Sequence, residues 1–314
     1  MKLQPVIPFE PVKTDHAPEG DRWIAQIKWD GVRMLAYLDE DSEVRLVNRR
    51  LNDKTAQYPE LLDVRSYCEA SSVILDGEVI ALDDGKPSFH RVMSRDRMRR
   101  TQGIPEAMKR IPVVYMIFDI LYLNGEWITQ LPLWQRQQHL EQIIRPNASV
   151  QLVPSVTEYE QLFAITGQHG LEGVVYKDLD SSYSIDGKDA RWQKHKHYHD
   201  LFAIVGGVTK RGGIVNALLL GLYHQGQLLY IGHAGTGKLK AADWRLMTDR
   251  LEPFILEQKP FANTPERLNN TVWLKPVLTV SIRYMEWTKD GVLRQPSIQG
   301  FVQVDPEACS FSQL

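Results

Sequence analysis

The sequence predicts an α+β chain of two units, the first built on largely antiparallel sheets and the second on a small β-barrel. Three observations carry this expectation. Runs rich in β-branched and aromatic residues recur from end to end, several are joined by turns too short for a crossover helix, and the texture changes after Lys196. A length of 314 residues also suits two globular units.

In the first unit, strand-like runs cover 23–29, 32–38, 44–48, 73–82, 113–123 and 173–177. Asp39-Glu40-Asp41-Ser42, between two of them, reads as a hairpin turn. Helices are expected over 58–69 and 133–144. A third opens at Thr157-Glu158-Tyr159-Glu160 as a capping box and stops near Gly170. Beyond Lys196, strands are expected over 202–208, 217–223, 228–231 and 272–287, with a turn at Gln225-Gly226 and a helix over 241–255. Such a set suits a small barrel such as an OB-fold. The boundary is set near Tyr198, giving units 1–197 and 198–314.

Hydrophobic residues at 43% and charged ones at 24% describe an ordinary globular protein rather than a disordered or fibrous one. The N-terminus has no basic stretch followed by an apolar core, and Asp119 interrupts the longest apolar run, 112–123, so neither export nor a membrane span is expected. Cys68 and Cys309 lie far apart and match no zinc spacing, which fits a reducing, cytoplasmic setting. A net charge of −2 gives no sign of nucleic acid, so any such partner requires cations segregated onto one face. The densest basic run, Ser94-Arg95-Asp96-Arg97-Met98-Arg99-Arg100, suits phosphates but equally a solvated face.

Chemistry concentrates in five ordered clusters. Gln26-Ile27-Lys28-Trp29-Asp30-Gly31-Val32-Arg33 joins two strands, leaving Lys28 at the lip of a sheet. Asp76-Gly77-Glu78 ends a strongly apolar strand and Phe118-Asp119 lies inside another. Glu172-Gly173-Val174-Val175-Tyr176-Lys177 follows a helix stop, and Trp192-Gln193-Lys194-His195-Lys196 comes last. Each alone has a plain structural explanation: a strand-end lysine, a turn carboxylate, a core aromatic, a helix stop and an ordinary strand.

Taken in order, the set resembles the covalent nucleotidyltransferase superfamily of DNA ligases, RNA ligases and mRNA capping enzymes, whose nucleophile motif lysine-x-aspartate-glycine-x-arginine stands here as KWDGVR. It is more closely similar to the ATP-dependent ligase domain of bacterial ligase D and its stand-alone relatives. That likeness adds Asn48-Arg49-Arg50, Tyr58-Pro59-Glu60-Leu61, Gly221, Gly235-Thr236-Gly237 and Glu286-Trp287-Thr288-Lys289-Asp290-Gly291-Val292-Leu293-Arg294, and covers essentially the whole chain.

The resemblance implies an antiparallel-sheet nucleotidyltransferase (adenylation) domain over 1–197 followed by an OB-fold domain, with a hinge around 197–200. It implies an ATP-dependent DNA ligase that stores AMP on Lys28 and seals 5′-phosphate/3′-hydroxyl nicks in duplex DNA with Mg²⁺ or Mn²⁺, as a monomer serving DNA repair or recombination. Lys194 and Lys196 would hold the triphosphate, and their period-two spacing puts both on one strand face. Such neighbours also lower the proton affinity of a lysine whose ordinary pKa is about 10.4. By the same resemblance, Glu78 and Glu172 are ribose and metal carboxylates and Arg33 a sugar or phosphate contact. Phe118 would stack on adenine and Arg49 would grip the nick phosphate.

Two departures stand out. Gln26 replaces a frequent Glu, which weakens the expected adenine recognition. Phe301-Val302-Gln303-Val304-Asp305-Pro306 occupies the place of the family's arginine-x-aspartate-lysine motif, leaving Arg283, Lys289 or Arg294 as substitutes. A slow first step and dependence on pre-adenylation are the expected consequence.

Competing readings are an RNA ligase or capping-type nucleotidyltransferase and a non-catalytic nucleic-acid-binding relative. The DNA-ligase-like C-terminal half disfavours the first and the intact Lys28, Glu78, Glu172, Lys194 and Lys196 disfavour the second. An NAD-dependent ligase is disfavoured by the lack of a four-cysteine zinc site and of a domain for the nicotinamide half. Gly232-His233-Ala234-Gly235-Thr236-Gly237-Lys238-Leu239 nearly spells a phosphate-binding loop, but Leu239 stands where a metal-binding hydroxyl is required. Alternating His195, His197 and His199 read as a polar strand edge rather than as metal ligands.

Overall fold

In the computed structural model, which describes residues 3–41, 43–265 and 270–314, strands dominate both halves of the chain. The chain divides into two units, residues 1–197 and 198–314. The first runs through β1 (Glu10–Thr14), β2 (Trp23–Ile27), β3 (Val32–Leu38), β4 (Val44–Asn48), β5 (Val73–Asp83), β6 (Lys86–Pro87), helices α1 (Phe89–Asp96) and α2 (Ile104–Arg110), and β7 (Val113–Leu123). It continues through β8 (Glu126–Trp127), α3 (Leu133–Ile143), β9 (Val150–Leu152), α4 (Tyr159–Gln168), β10 (Gly173–Asp178) and β11 (Lys188–Lys196). The expected β3–β4 hairpin is present, with Leu38 opposite Val44. Ser42, the last residue of its expected turn, lies outside the described residues.

Two sheets form this unit, one ordered β1-β11-β10-β2 and the other β4-β3-β5-β7-β8 with β9 on β7. Alternation along the strands gives each sheet two apolar faces. Phe9, Tyr183 and Trp192 pack with Leu35, Tyr37, Ile74 and Leu121 of the β3–β5–β7 sheet in one core. The other face of β3–β5–β7 packs against Val92 of α1 and Leu140 of α3. Tyr159, Leu162 and Phe163 of α4 cover Trp23, Ala25, Val174 and Tyr176.

Several local expectations give way. No long helix spans 58–69; 3₁₀ turns occupy Pro59–Leu61 and Val64–Ser66. The cause is visible in the sequence: the buried Tyr58, Leu61, Val64 and Tyr67 recur every third residue, the period of a 3₁₀ rather than an α-helix. The capping box at α4 is absent; Thr157 Oγ1 donates to the adjacent Glu158 carboxylate instead. β1, α1 and α2 had no counterpart among the expected elements.

The second unit comprises β12 (His199–Arg211), β13 (Ile214–His224), β14 (Gln227–Ala234), α5 (Ala241–Asp249), β15 (Ile255–Leu256), β16 (Thr271–Leu274), β17 (Thr279–Tyr284), β18 (Glu286–Trp287), β19 (Leu293–Arg294) and β20 (Ser297–Val302). Pro276 splits the strand expected over 272–287, and Pro253 ends the expected long helix in a 3₁₀ turn. β12 is the spine. One edge pairs with β13, while the other pairs with β17 through Ile204 and with β16 from Gly207. Gly206 lies between these segments, where a Cβ would stand 2.5 Å from the Phe261 ring. The sheet is OB-like, but among the described residues its ladder does not close into a barrel, as suits a fold that is partly open.

The near phosphate-binding loop is spent on the sheet. Ile298 donates to the Thr236 carbonyl and receives from the Lys238 amide, and Gly237 takes φ 142° against Ile298. Those groups are therefore not turned toward a phosphate. Among the described residues, no helix is long and apolar enough to cross a membrane.

Candidate active site

Lys28 follows β2, and its amide donates to the Gly173 carbonyl at 2.9 Å, which ties it to the start of β10. Register then sets its neighbours. Gly173 is opposite Lys196, Val175 opposite Lys194 and Gln26, and Lys177 opposite Trp192 and Ile24. Directly paired residues share a face, so Gln26, Lys194, Lys196, Lys177 and Trp192 look the same way. Gly173 makes this approach possible: at φ 140°, a Cβ there would stand 2.1 Å from the His195 carbonyl oxygen.

Glu172 joins the two amines. Its Oε2 accepts from Lys28 Nζ at 2.5 Å and its Oε1 from Lys196 Nζ at 2.6 Å, with the carboxylate side chain 4% exposed and Lys28 21%. Burial pushes the Glu172 carboxyl up, but Lys28 and Lys196 together outweigh it and hold it below the usual range. Burial, with Lys28 and Lys196 nearby, lowers the pKa of Lys194. Three lysines therefore converge on one electropositive spot with a single ionised carboxylate among them.

The β3–β5 pair supplies another part of the site. Arg33 is opposite Glu78, and Leu35 opposite Asp76. Arg33 does not point free: Nε and Nη2 grip the fully buried Asp76 at 2.5 and 2.6 Å, and Tyr183 donates to the same carboxylate. Burial opposes the Arg33 charge, and Asp76 more than offsets that, keeping the guanidinium protonated. Glu78 is pushed up to about 7, chiefly by burial and further by Glu172 and Asp30, while Lys28 and Arg33 pull it down.

Phe118 occupies a β-bulge. Asp76 is opposite Asp119 and Gly77 opposite Ile117, so Phe118 is the extra residue, a device that re-aims a side chain. The Arg33 guanidinium lies 4.5 Å from the centre of its ring and Lys177 Nζ 4.3 Å. Lys177 is 2% exposed, sits 3.9 Å over Trp192, and is pushed down to about 7 by burial, with Asp119 partly offsetting it. Sequence reasoning missed Lys177 and Asp76 as members of the site. Their signal was present: Lys177 alternates with Gly173 and Val175, and Asp76 precedes Glu78 by two on the same face.

Gln26 is buried, and its amide nitrogen donates to Ser155 Oγ at 3.2 Å and the Val153 carbonyl at 3.4 Å. Arg49 lies in the turn after β4 and pairs with Glu10 of β1 at 2.8 Å, its side chain 52% exposed. Its turn is pinned by the Asn48 side chain accepting from the amides of Arg50 and Asn52, and its partner Glu10 is among the charges that act on Lys194. His195 and His197 face away, stacked on Phe163 at 3.8 and 4.1 Å. Among the described residues, no group of three His, Cys, Asp or Glu side chains could hold a metal by itself. Glu78 and Glu172 fit only the lighter duty of sharing an ion with a phosphate chain. In the second unit Arg283 pairs with Asp200 and Arg294 with Glu286.

The ATP dependent DNA ligase domain family covers residues 9–196 and the ATP dependent DNA ligase C terminal region covers 211–303. The multifunctional non-homologous end joining DNA repair protein LigD of Mycobacterium tuberculosis is 33% identical over 291 residues, spanning 90% of this chain. A DNA ligase of Thermococcus fumicolans is 29% identical over 278 residues, covering 84% of the chain and 48% of that protein. The chain spans 36% of the length of the LigD relative. Among solved structures, mycobacterial DNA ligase D complexed with ATP and MES superposes with a TM-score of 0.53 at 30% identity, covering 97% of each chain. The chain therefore belongs to the ATP-dependent DNA ligase family.

Proposed function

We propose that this chain is an ATP-dependent DNA ligase in which residues 1–197 perform self-adenylation and 198–314 form the OB-fold domain. The observation that carries the reading is the convergence of Lys28, Lys194 and Lys196 around Glu172. An amine flanked by cations loses its proton more readily, and the same cations stabilise charge on a polyphosphate. Lys28 Nζ attacks the α-phosphorus of ATP; a nitrogen–phosphorus bond forms, the bond to the β-phosphate oxygen breaks, and pyrophosphate leaves. The 5′-phosphate of a nick then takes AMP from Lys28, and the 3′-hydroxyl displaces AMP as the phosphodiester forms. Lys194 and Lys196 hold phosphates, Phe118 and Gln26 meet the adenine, and Arg33 orients the sugar side through Asp76. Mg²⁺ or Mn²⁺, shared between nucleotide phosphates and Glu78 or Glu172, would neutralise phosphate charge. The working form is taken to be a cytoplasmic monomer acting on nicked duplex DNA.

The test is incubation with α-labelled ATP and Mg²⁺, followed by nicked duplex. Label is expected first on the protein and then on DNA. Protein that takes no label, or labels from GTP instead, would count against the reading.

Two further outcomes arise here. Because burial raises the Glu78 carboxyl to about 7 before nucleotide and metal bind, the kcat/KM of self-adenylation, which reports the free enzyme, is expected to rise as pH increases through about 7. Glu78→Gln should flatten that limb, in initial rates measured from pH 5.5 to 8.5; an unchanged limb would assign it elsewhere. Arg49→Ala should depress nick sealing roughly 10- to 100-fold more than self-adenylation, since its half-exposed guanidinium is available to exchange Glu10 for a phosphate. Equal loss of both steps would remove Arg49 from nick recognition.

A further inference from the structure

The basic run that composition left undecided is sorted by the fold. Residues 86–110 hold eight of the chain's 37 Lys and Arg residues but only two of its 39 Asp and Glu. Two members of the run point inward. The Arg95 guanidinium donates to the Ile111 and Gln57 carbonyls and to Glu60 at 2.9 Å, and Asp96 accepts from Lys54 at 2.8 Å and from the Tyr58 hydroxyl. Gln57 also donates to the Met98 carbonyl at 2.9 Å. These bonds hold the chain at the end of α1, and from that fixed stretch Arg97, Arg99 and Arg100 emerge exposed.

Lys109 and Arg110, at the end of α2, are exposed as well, and Arg91 ties the two helix ends together by donating to the Arg110 carbonyl. Among the described residues, none of Arg97, Arg99, Arg100, Lys109 and Arg110 has an ion-pair partner. The segment starts beside the lysine cluster, because a Cβ on Gly170, two residues before Glu172, would stand 3.7 Å from Lys86 Nζ. Beyond it α1, eight residues long, spans about 12 Å, the rise of roughly three to four base pairs.

We propose that the α1–α2 segment grips the sugar–phosphate backbone of duplex DNA a few base pairs from the nick, independently of base sequence. The inference rests on the ligase reading. In a chain of net charge −2, an approaching duplex gains no general attraction, so binding must come from a local cationic face. Unpaired guanidiniums on an anchored backbone suit phosphate oxygens, and a nick sealer must hold any sequence, which is what backbone contacts provide.

The test is the salt dependence of nicked-duplex binding by the full chain, compared with Arg97→Gln/Arg99→Gln/Arg100→Gln and with Lys109→Gln/Arg110→Gln. Each phosphate contact contributes about 0.9 to the slope of log affinity against log salt. The triple variant should therefore lose about two to three from that slope and the double variant about one to two. Affinity near 0.1 M salt should fall at least about tenfold for the triple variant, equally on unrelated duplex sequences. Native slopes and affinities in both variants would overturn the proposal, as would a loss confined to one duplex sequence. Thermal melting guards against misfolding, and the two variants alter separate parts of the segment, Arg97, Arg99 and Arg100 following α1 and Lys109 and Arg110 ending α2. AMP labelling of the native chain is scored separately: its failure would remove the ligase reading, while the slope comparison still decides whether these cations hold duplex DNA.

Discussion

Lys28→Ala is expected to eliminate covalent AMP labelling, lowering it by at least about a thousandfold, because the proposed nitrogen–phosphorus bond forms on this amine. Lys194 and Lys196 lie close by, but both project from β11, whereas Lys28 alone is carried by the turn that enters β3. The substitution removes one of two partners from the buried Glu172 carboxylate and leaves Lys196 in place, so a stability loss of about 1–3 kcal/mol is expected rather than unfolding. Labelling with α-labelled ATP on a denaturing gel, beside a melting curve, separates the two effects. Label retained on folded Lys28→Ala protein would transfer the nucleophile to another residue.

Lys177→Met is expected to stabilise the protein, by about 2–4 kcal/mol near neutral pH. Burial brings the Lys177 amine down to about 7 from its ordinary 10.5, and the aromatic faces of Phe118 and Trp192 only partly compensate. The sign follows from proton counts. Between about 7 and 10.5 the unfolded chain binds the proton more tightly than the folded one, so the native protein gains stability as pH rises through that window. The methionine variant has no such gain. Its advantage should therefore be largest at pH 7 and below and shrink toward pH 10.5. Urea titrations of both proteins at pH 6.5 and 9.5 measure this directly. A variant less stable at both values would mean that Lys177 is held by interactions stronger than its desolvation.

The outline of the molecule was legible because alternation and short turns are local. β3, β4, β5, β7 and β10 follow their expected spans closely, as do α3 and the stop at Gly170. What was not legible depends on which sheet a strand joins. β1 has no alternating apolar pattern, and its parallel pairing with β11 brings together residues more than 170 positions apart. Phe118 was singled out as an aromatic of interest, yet its bulge exists only in the register between β5 and β7. Arg33 shows the same limit. Its spacing from Lys28 marks it as part of the motif, but nothing local announces that Asp76 claims the Nε–Nη2 edge of its guanidinium.

The basic run shows how burial resolves an ambiguity that charge counting cannot. Arg95 and Arg97 are chemically alike and two residues apart, yet one is fully buried against Glu60 and the other faces solvent. Helical periodicity separates them: Val92 and Arg95, three apart, lie on the inward face of α1.

Gly173 has a consequence for how such a site ages in evolution. The gap between the two amines flanking Glu172 is written in peptide units: one carbonyl to Lys28 and one cross-strand pairing to Lys196. Aromatic and aliphatic residues elsewhere can be exchanged over time without altering that interval. A single methyl group at position 173 would wedge the strands apart at the lysines themselves, a fault that no later repacking of the surroundings is positioned to mend.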